Sequence, residues 1–212
     1  YLIAAFTAFN KPDESARICT KVNIDIQDEA TSRFITRPEL KARLEKLNLY
    51  PMSKPLIKVN TRDIEDVLKE SSFVRTAQCY KTDDGQVFIT LTQRMPTLRI
   101  KAANGDDYYL DDNNSIMPNS RYTSDLIVAT GNINRWYARN YIAYVGKALM
   151  ANDFWNRQIV QINVLPNKGV ELVPRVGDHI IYIGQLPETK YIADREKLVT
   201  KFINKKMHRL EM

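Results

Sequence analysis

The most regular pattern in the chain runs from Phe73 to Met95. Apolar residues hold the odd positions in both arms: Phe73, Ala77 and Cys79, then Val87, Ile89, Leu91 and Met95. A period of two predicts two half-buried strands, and Asp83-Asp84-Gly85 supplies the turn between them. Gln93-Arg94-Met95-Pro96 then ends the pairing, because Pro96 has no N–H to donate. Upstream, residues 17–27 read as a strand with Ile18, Val22, Ile24 and Ile26 inward and Cys19 on the opposite parity. Thr36-Arg37-Pro38-Glu39 is a capping box, with Pro tolerated in a first helical turn. Leu40, Leu44 and Leu47 follow on one face, and Pro51 and Pro55 close that helix. A second helix starts at Asn60 or Thr61, turns Ile64, Val67 and Leu68 inward and ends at Ser71-Ser72. Strand, helix, helix, strand, strand predicts an α+β unit with two helices on one face of a three-stranded sheet.

After Pro96 the periods shorten. Strands are predicted at 97–102, 107–111 and 126–129, with turns at Asn104-Gly105 and Asn113-Asn114. A helix over 135–152 carries the stripe Ala138, Tyr141, Ile142, Val145, Ala148 and Leu149. Strands follow at 158–164, 169–174 and 179–184. A closing helix over 193–209 sets Leu198, Val199, Phe202 and Ile203 against Lys197, Lys201, Lys205 and Lys206. This second half reads as a β-rich domain with an antiparallel or mixed sheet and two helices. The boundary is expected near Pro96.

The 212 residues are 44% apolar and 26% charged, which suits one large or two modest globular domains. The net charge of +6 permits an acidic partner, a membrane surface or nucleic acid. No basic run of five or more occurs, which argues against nucleic acid. The two cysteines, Cys19 and Cys79, cannot build a four-ligand zinc site, and their opposed parities argue against a disulfide. No nucleophile, metal or phosphate motif is present. His179 lies in an apolar strand and reads as structural. Asp106-Asp107 and Asp111-Asp112 flank Asn-rich turns, where Asp serves local backbone hydrogen bonds. No catalytic residue, cofactor or metal is expected. Tyr1 to Phe9 are mostly apolar but fall short of the roughly 20 residues of a spanning helix. They read as an ordinary buried segment or as the trailing end of a membrane helix, with residues 10–16 as a polar linker.

Residues 17–96 resemble a POTRA domain. The words QRMP at 93–96, YYLDDNNSIMP at 108–118, TGNI at 130–133, FW-x-x-QIVQI at 154–162 and ELVPRVGDHIIYIG at 171–184 resemble the FtsQ/DivIB cell-division family, in a form similar to that of Bacteroidetes. The resemblance implies residues 1–16 as helix end and linker, 17–96 as POTRA domain and 97–212 as the family's β domain. It implies a non-enzymatic scaffold of the division machinery in the bacterial inner membrane, held by a single N-terminal helix with its bulk in the periplasm. Its implied partners are FtsB-like and FtsL-like proteins, taken by β-strand addition. On this resemblance the contact residues are Trp155, Arg157, Gln158, Gln161, Glu171, Arg175 and Tyr182, with Arg75, Gln78 and Tyr80 on an exposed POTRA strand. The family form continues past the closing helix with an edge strand that this sequence does not show, and Asn114 stands where a turn Gly is common. Two other readings compete. A POTRA-type chaperone or assembly factor for outer-membrane or secreted proteins needs tandem repeats or a barrel. An envelope enzyme needs a carboxylate pair or nucleophile in a cleft.

Overall fold

The computed structural model describes residues 17–31, 33–120 and 125–211. The expected helix end and linker at 1–16 lie outside the described residues. The chain divides into two compact units between Arg94 and Met95.

The first unit has the order β1 (Lys21–Ile26), α1 (Arg37–Lys46), α2 (Thr61–Lys69), β2 (Val74–Lys81) and β3 (Gln86–Gln93), with a 3₁₀ turn at Leu56–Lys58. The sheet order is β1-β3-β2; β3 runs parallel to β1 and antiparallel to β2. The helices form where local chemistry starts them. The Thr36 N–H donates to Glu39 at 2.9 Å, and Asn60 accepts from the Arg62 N–H at 3.1 Å. Their inward faces bury Leu40, Leu44, Ile64 and Leu68. Each such side chain contributes about 1.5–3 kcal/mol. Leu47 leaves that face: it caps α1 where the helix has already ended, and it is exposed.

Parity departs from expectation at both ends of this sheet. Cys19 is buried and Ile18 exposed, the reverse of the alternation, because the regular strand begins only at Lys21 and Ile18 meets Pro55 in an isolated bridge. In β2 a bulge between Val74 and Thr76 shifts the register, so Val74 enters the core in place of Phe73. Buried Gln93 is satisfied on both sides. Its N–H and amide group donate to the Asp28 carboxylate at 2.7 and 3.2 Å, and its side-chain oxygen accepts from Ile35 at 3.0 Å. The two cysteines are free thiols buried in this core.

The second unit holds β4 (Pro96–Ala102), β5 (Asp107–Asp111), β6 (Ile116–Pro118), β7 (Val128–Gly131), helix α3, α4 (Asp153–Gln158), β8 (Ile159–Val164), β9 (Gly169–Pro174), β10 (Ile181–Gln185) and α5 (Ile192–Glu211). Helix α3 is built of Arg135–Tyr137, a π-helical segment Ala138–Ile142 and Ala143–Met150. The seven strands form one mixed sheet in the order β10-β9-β8-β7-β4-β5-β6. β7 lies parallel to both β4 and β8; the other pairs are antiparallel. Pro96 ends the hairpin pairing as expected, yet it also opens β4 opposite Asp111, a strand position where no N–H is needed. β6 and α4 were not expected from the sequence. Both are too short to show a period.

One face of this sheet carries the core: Leu98, Ile100, Ala129, Ile162, Leu172 and Ile183 meet the α3 stripe and Val199, Ile203 and Met207 of α5. Leu198, expected inward, is partly exposed, and Met207, not expected there, is buried with Val199 and Ile203. Gly146 lies where α3 crosses β4; a Cβ there would stand 3.3 Å from Leu98.

Candidate partner-binding surfaces

On the sheet face opposite the core, three of the expected residues share one surface. Asn163, Glu171 and Tyr182 are register neighbours across β8, β9 and β10, and Thr130 extends the row onto β7. The Asn163 amide donates to Glu171 at 2.8 Å, the Thr130 hydroxyl donates to Asn163 at 3.2 Å, and Gln161 donates to Thr130 at 2.7 Å. Such cross-strand pairs fix the row. It ends at Tyr182, whose ring lies over Gly169: a Cβ on Gly169 would meet it at 2.9 Å.

Among the described residues β10 is the terminal strand of the sheet and pairs only with β9. Its outer edge presents backbone groups that a further strand can satisfy. The opposite edge, β6, has three residues and ends in Pro118, which makes it a poor template. Beside the start of β10 opens a groove of about 770 Å³ whose lining includes Phe154, Trp155, Gln158, Pro174, Val176 and Ile181. Phe154 packs edge-on against Trp155 at 5.0 Å. Trp155 is buried and forms core as well as groove wall.

The expected contact residues therefore separate. Gln161, Glu171 and Tyr182 lie on the open face, and Trp155 and Gln158 line the groove. Arg157 and Arg175 sit at the junction of α4 and the end of β9. There the Arg175 N–H donates to the Gln158 carbonyl at 2.6 Å, its Nε donates to the Arg157 carbonyl at 3.3 Å, and its guanidinium reaches Asp125 at 3.7 Å. Phe154, Val176, Ile180 and Leu210 were missed, although all four are exposed apolar side chains. In sequence Val176 and Ile180 merely flank the Gly177-Asp178 turn, and Leu210 lies at a helix end. His179 is exposed and lies just before β10, not within a strand.

In the first unit Arg75, Gln78 and Tyr80 are all exposed on β2. Gln78 and Tyr80 share a face with Thr76, and Tyr80 stacks on Phe88 at 5.1 Å. Arg75 is the extra residue of the bulge. The β2 edge is not fully open, because the Cys79 N–H donates to Glu65 at 2.9 Å and Lys81 donates to the Leu56 carbonyl at 3.0 Å.

The turn aspartates are engaged locally. Asp107 takes the forked Arg99 guanidinium at 2.8 and 3.0 Å, and those hydrogen bonds hold its carboxyl below the usual range. Asp106 pairs with Arg135 at 3.1 Å, and Asp111 accepts from the Asn113 and Ser115 N–H groups. Among the described residues no three His, Cys, Asp or Glu side chains converge as a metal site would require, and no helix is long and apolar enough to cross a membrane.

A POTRA-like domain model matches residues 17–92, and the model described as FtsQ/DivIB, C-terminal related, matches residues 95–211. No curated protein matches the chain. The second model spans more than half of the chain, all of the mixed sheet and all three of its helices. With a POTRA-like unit ahead of that sheet, this chain belongs to the FtsQ/DivIB family of cell-division proteins.

Proposed function

We propose that this chain is the periplasmic part of a non-enzymatic scaffold of the bacterial division machinery, held at the inner membrane by a single N-terminal helix. It recruits FtsB-like and FtsL-like partners by strand addition on β10. The observation that carries this reading is the free edge of β10 beside an apolar groove, at the end of a sheet that matches the FtsQ/DivIB C-terminal model. A partner strand gains backbone hydrogen bonds from the edge, and its side chains reach Tyr182 on one face and the groove by Ile181 on the other. The assembly-factor reading needs repeated POTRA units or a barrel after residue 96. A family match over 95–211 favours the scaffold. An enzyme would need a free carboxylate or nucleophile in a cleft, whereas Asp106 and Asp107 are tied to arginines.

The test is a titration of the chain with the periplasmic segment of an FtsB-like partner, read by calorimetry and by amide hydrogen exchange. Protection of 181–185 together with at least tenfold weaker binding by Tyr182→Lys is expected. Binding that leaves those amides exchanging as in the free protein would place the interface elsewhere, and no binding would remove the strand-addition reading.

A further inference from the structure

At the other end of α5 the structure contains a buried cation whose role the β10 edge does not explain. Arg195 is 7% exposed, in the first turn of that helix. A guanidinium taken out of water is normally matched by a carboxylate. Among the described residues no ion pair involves Arg195, and its sequence neighbours Asp194 and Glu196 are exposed. Among the described residues its hydrogen bond runs from Nη1 to the side-chain oxygen of Asn140, at 2.5 Å, and its buried Nε finds no acceptor. A donor in that state is costly to leave unmatched.

The surroundings have the composition of a recognition site. The Arg195 guanidinium lies 5.0 Å from the Trp136 ring and 5.6 Å from the Tyr141 ring, and those rings are 5.7 Å apart. The arrangement depends on the π-helical segment Ala138–Ile142, an irregularity frequent at functional sites. Within it Asn140 donates to the Trp136 carbonyl at 2.8 Å and accepts from Arg195, so one side chain ties ring and cation together. Around this buried centre stand large apolar side chains in water: Trp136 is 55% exposed, Tyr191 73% and Ile192 69%. Ile192 precedes Arg195 by three residues on the same helix, which makes it a neighbour along the helix surface, and Tyr191 stands just ahead of the helix.

We propose that Arg195, with Trp136, Asn140, Tyr191 and Ile192, is a second docking point that takes an aspartate or glutamate side chain of a partner polypeptide, flanked in that partner by an apolar residue. The carboxylate meets Nη2, the arm of the fork that Asn140 leaves unused, and a charge-assisted hydrogen bond there is about twice as strong as a neutral one. The exposed aromatic and aliphatic side chains favour a polypeptide over a bare anion: Trp, Tyr and Arg are the residues that dominate protein interfaces. The chain's net charge of +6 favours an acidic partner. The point lies about 22 Å along α5 from the groove at Leu210, at 1.5 Å per residue. It is therefore separate from the β10 edge, and a partner could engage both.

The experiment is a nuclear magnetic resonance titration of the chain, following the Trp136 indole and the Arg195 Nε–H signals. The probe is acetyl-Gly-Leu-Glu-Phe-Gly-amide, compared with its Gln analogue and with inorganic phosphate. Saturable shifts of both signals with the Glu peptide are expected, with at least tenfold weaker binding for the Gln analogue and for Arg195→Lys, which keeps the charge but loses the fork. Trp136→Ala, at a half-exposed position, provides a variant that does not rest on the buried residue, and it must also lose binding. Tyr182→Lys must bind the probe as the unmodified chain does, which separates this site from the β10 edge. Equal binding of the Gln analogue, an equal response to phosphate, unchanged binding by Trp136→Ala, or no shift at millimolar peptide would overturn the proposal.

Discussion

Gly131 closes β7, the strand that joins the two halves of the mixed sheet, and replacing it tests how that junction is held. Gly131 pairs with Ala102 on one side and Val164 on the other. Its φ is +94°, and a Cβ there would lie 2.1 Å from the Val164 carbonyl oxygen. Gly105 has nearly the same φ, +90°, but a Cβ there meets nothing within 4 Å. Gly131→Ala and Gly105→Ala therefore share the left-handed cost of about 1–2 kcal/mol. Only Gly131→Ala must also push β8 aside. That movement strains the Asn132 N–H bond to the Val164 carbonyl, now 2.8 Å, and the Ala103 N–H bond to the Gly131 carbonyl, also 2.8 Å. Each weakened bond costs about 1 kcal/mol net. The sum is about 3–4 kcal/mol for Gly131→Ala against about 1–2 for Gly105→Ala. Urea unfolding read by tryptophan fluorescence isolates this unit, because the chain's two tryptophans, Trp136 and Trp155, both lie in it. At a slope of about 1.5 kcal/mol/M the two midpoints should differ by about 1 M or more. Midpoints within about 0.3 M of each other would refute the argument, because crowding at Val164 would then carry no weight.

Trp155→Ala should cost about 3–5 kcal/mol on the same assay, since the ring is core; a loss below about 1 kcal/mol would return Trp155 to the surface. Glu65→Ala should destabilise the first unit by about 1–3 kcal/mol at pH 7 by freeing the buried-edge Cys79 N–H. That N–H, and then Lys69, hold the Glu65 carboxyl below its usual value, so its contribution is present above the unfolded pKa and is lost as pH falls through the folded one. The gap between the two proteins should therefore shrink as pH falls below the ordinary glutamate range, and a gap that does not change on acidification would contradict the account. Burial, and then Glu65, push the Cys79 thiol up to about 12, and burial also raises Cys19. Neither should react with a thiol reagent at pH 8 until the protein unfolds, when both should. Because the fold keeps Cys79 neutral, stability should fall as pH rises from the unfolded thiol value near 9 toward 12; rapid labelling of the native chain, or a flat profile, would count against this.

What could be read from the sequence was what neighbouring residues impose on each other. The capping box at Thr36 and Glu39, the α3 stripe and the alternation of Val87, Ile89 and Leu91 all carry their own periodicity, and each appears in the structure. Those local signals also carried the order of elements in the first unit, and in the second all but β6 and α4. The errors fall where one extra residue breaks a period, as at the Val74–Thr76 bulge, and where segments such as 116–118 and 153–158 are too brief to show one. Strand order was beyond reach, because placing β3 between β1 and β2, or β7 between β4 and β8, is a choice among long-range pairings. The candidate surfaces follow from those pairings. Tyr182 joins Glu171 and Asn163 only because β10, β9 and β8 lie side by side. Arg195 reads as one more charge on a lysine-rich helix until α5 packs on α3 and brings it to Trp136, Tyr141 and Asn140. The sequence by itself determined the elements and their family, since local hydrogen bonding and hydrophobic period act along the chain. Only the tertiary structure decided which edge stays open and which cation is buried, since both depend on residues that meet across it.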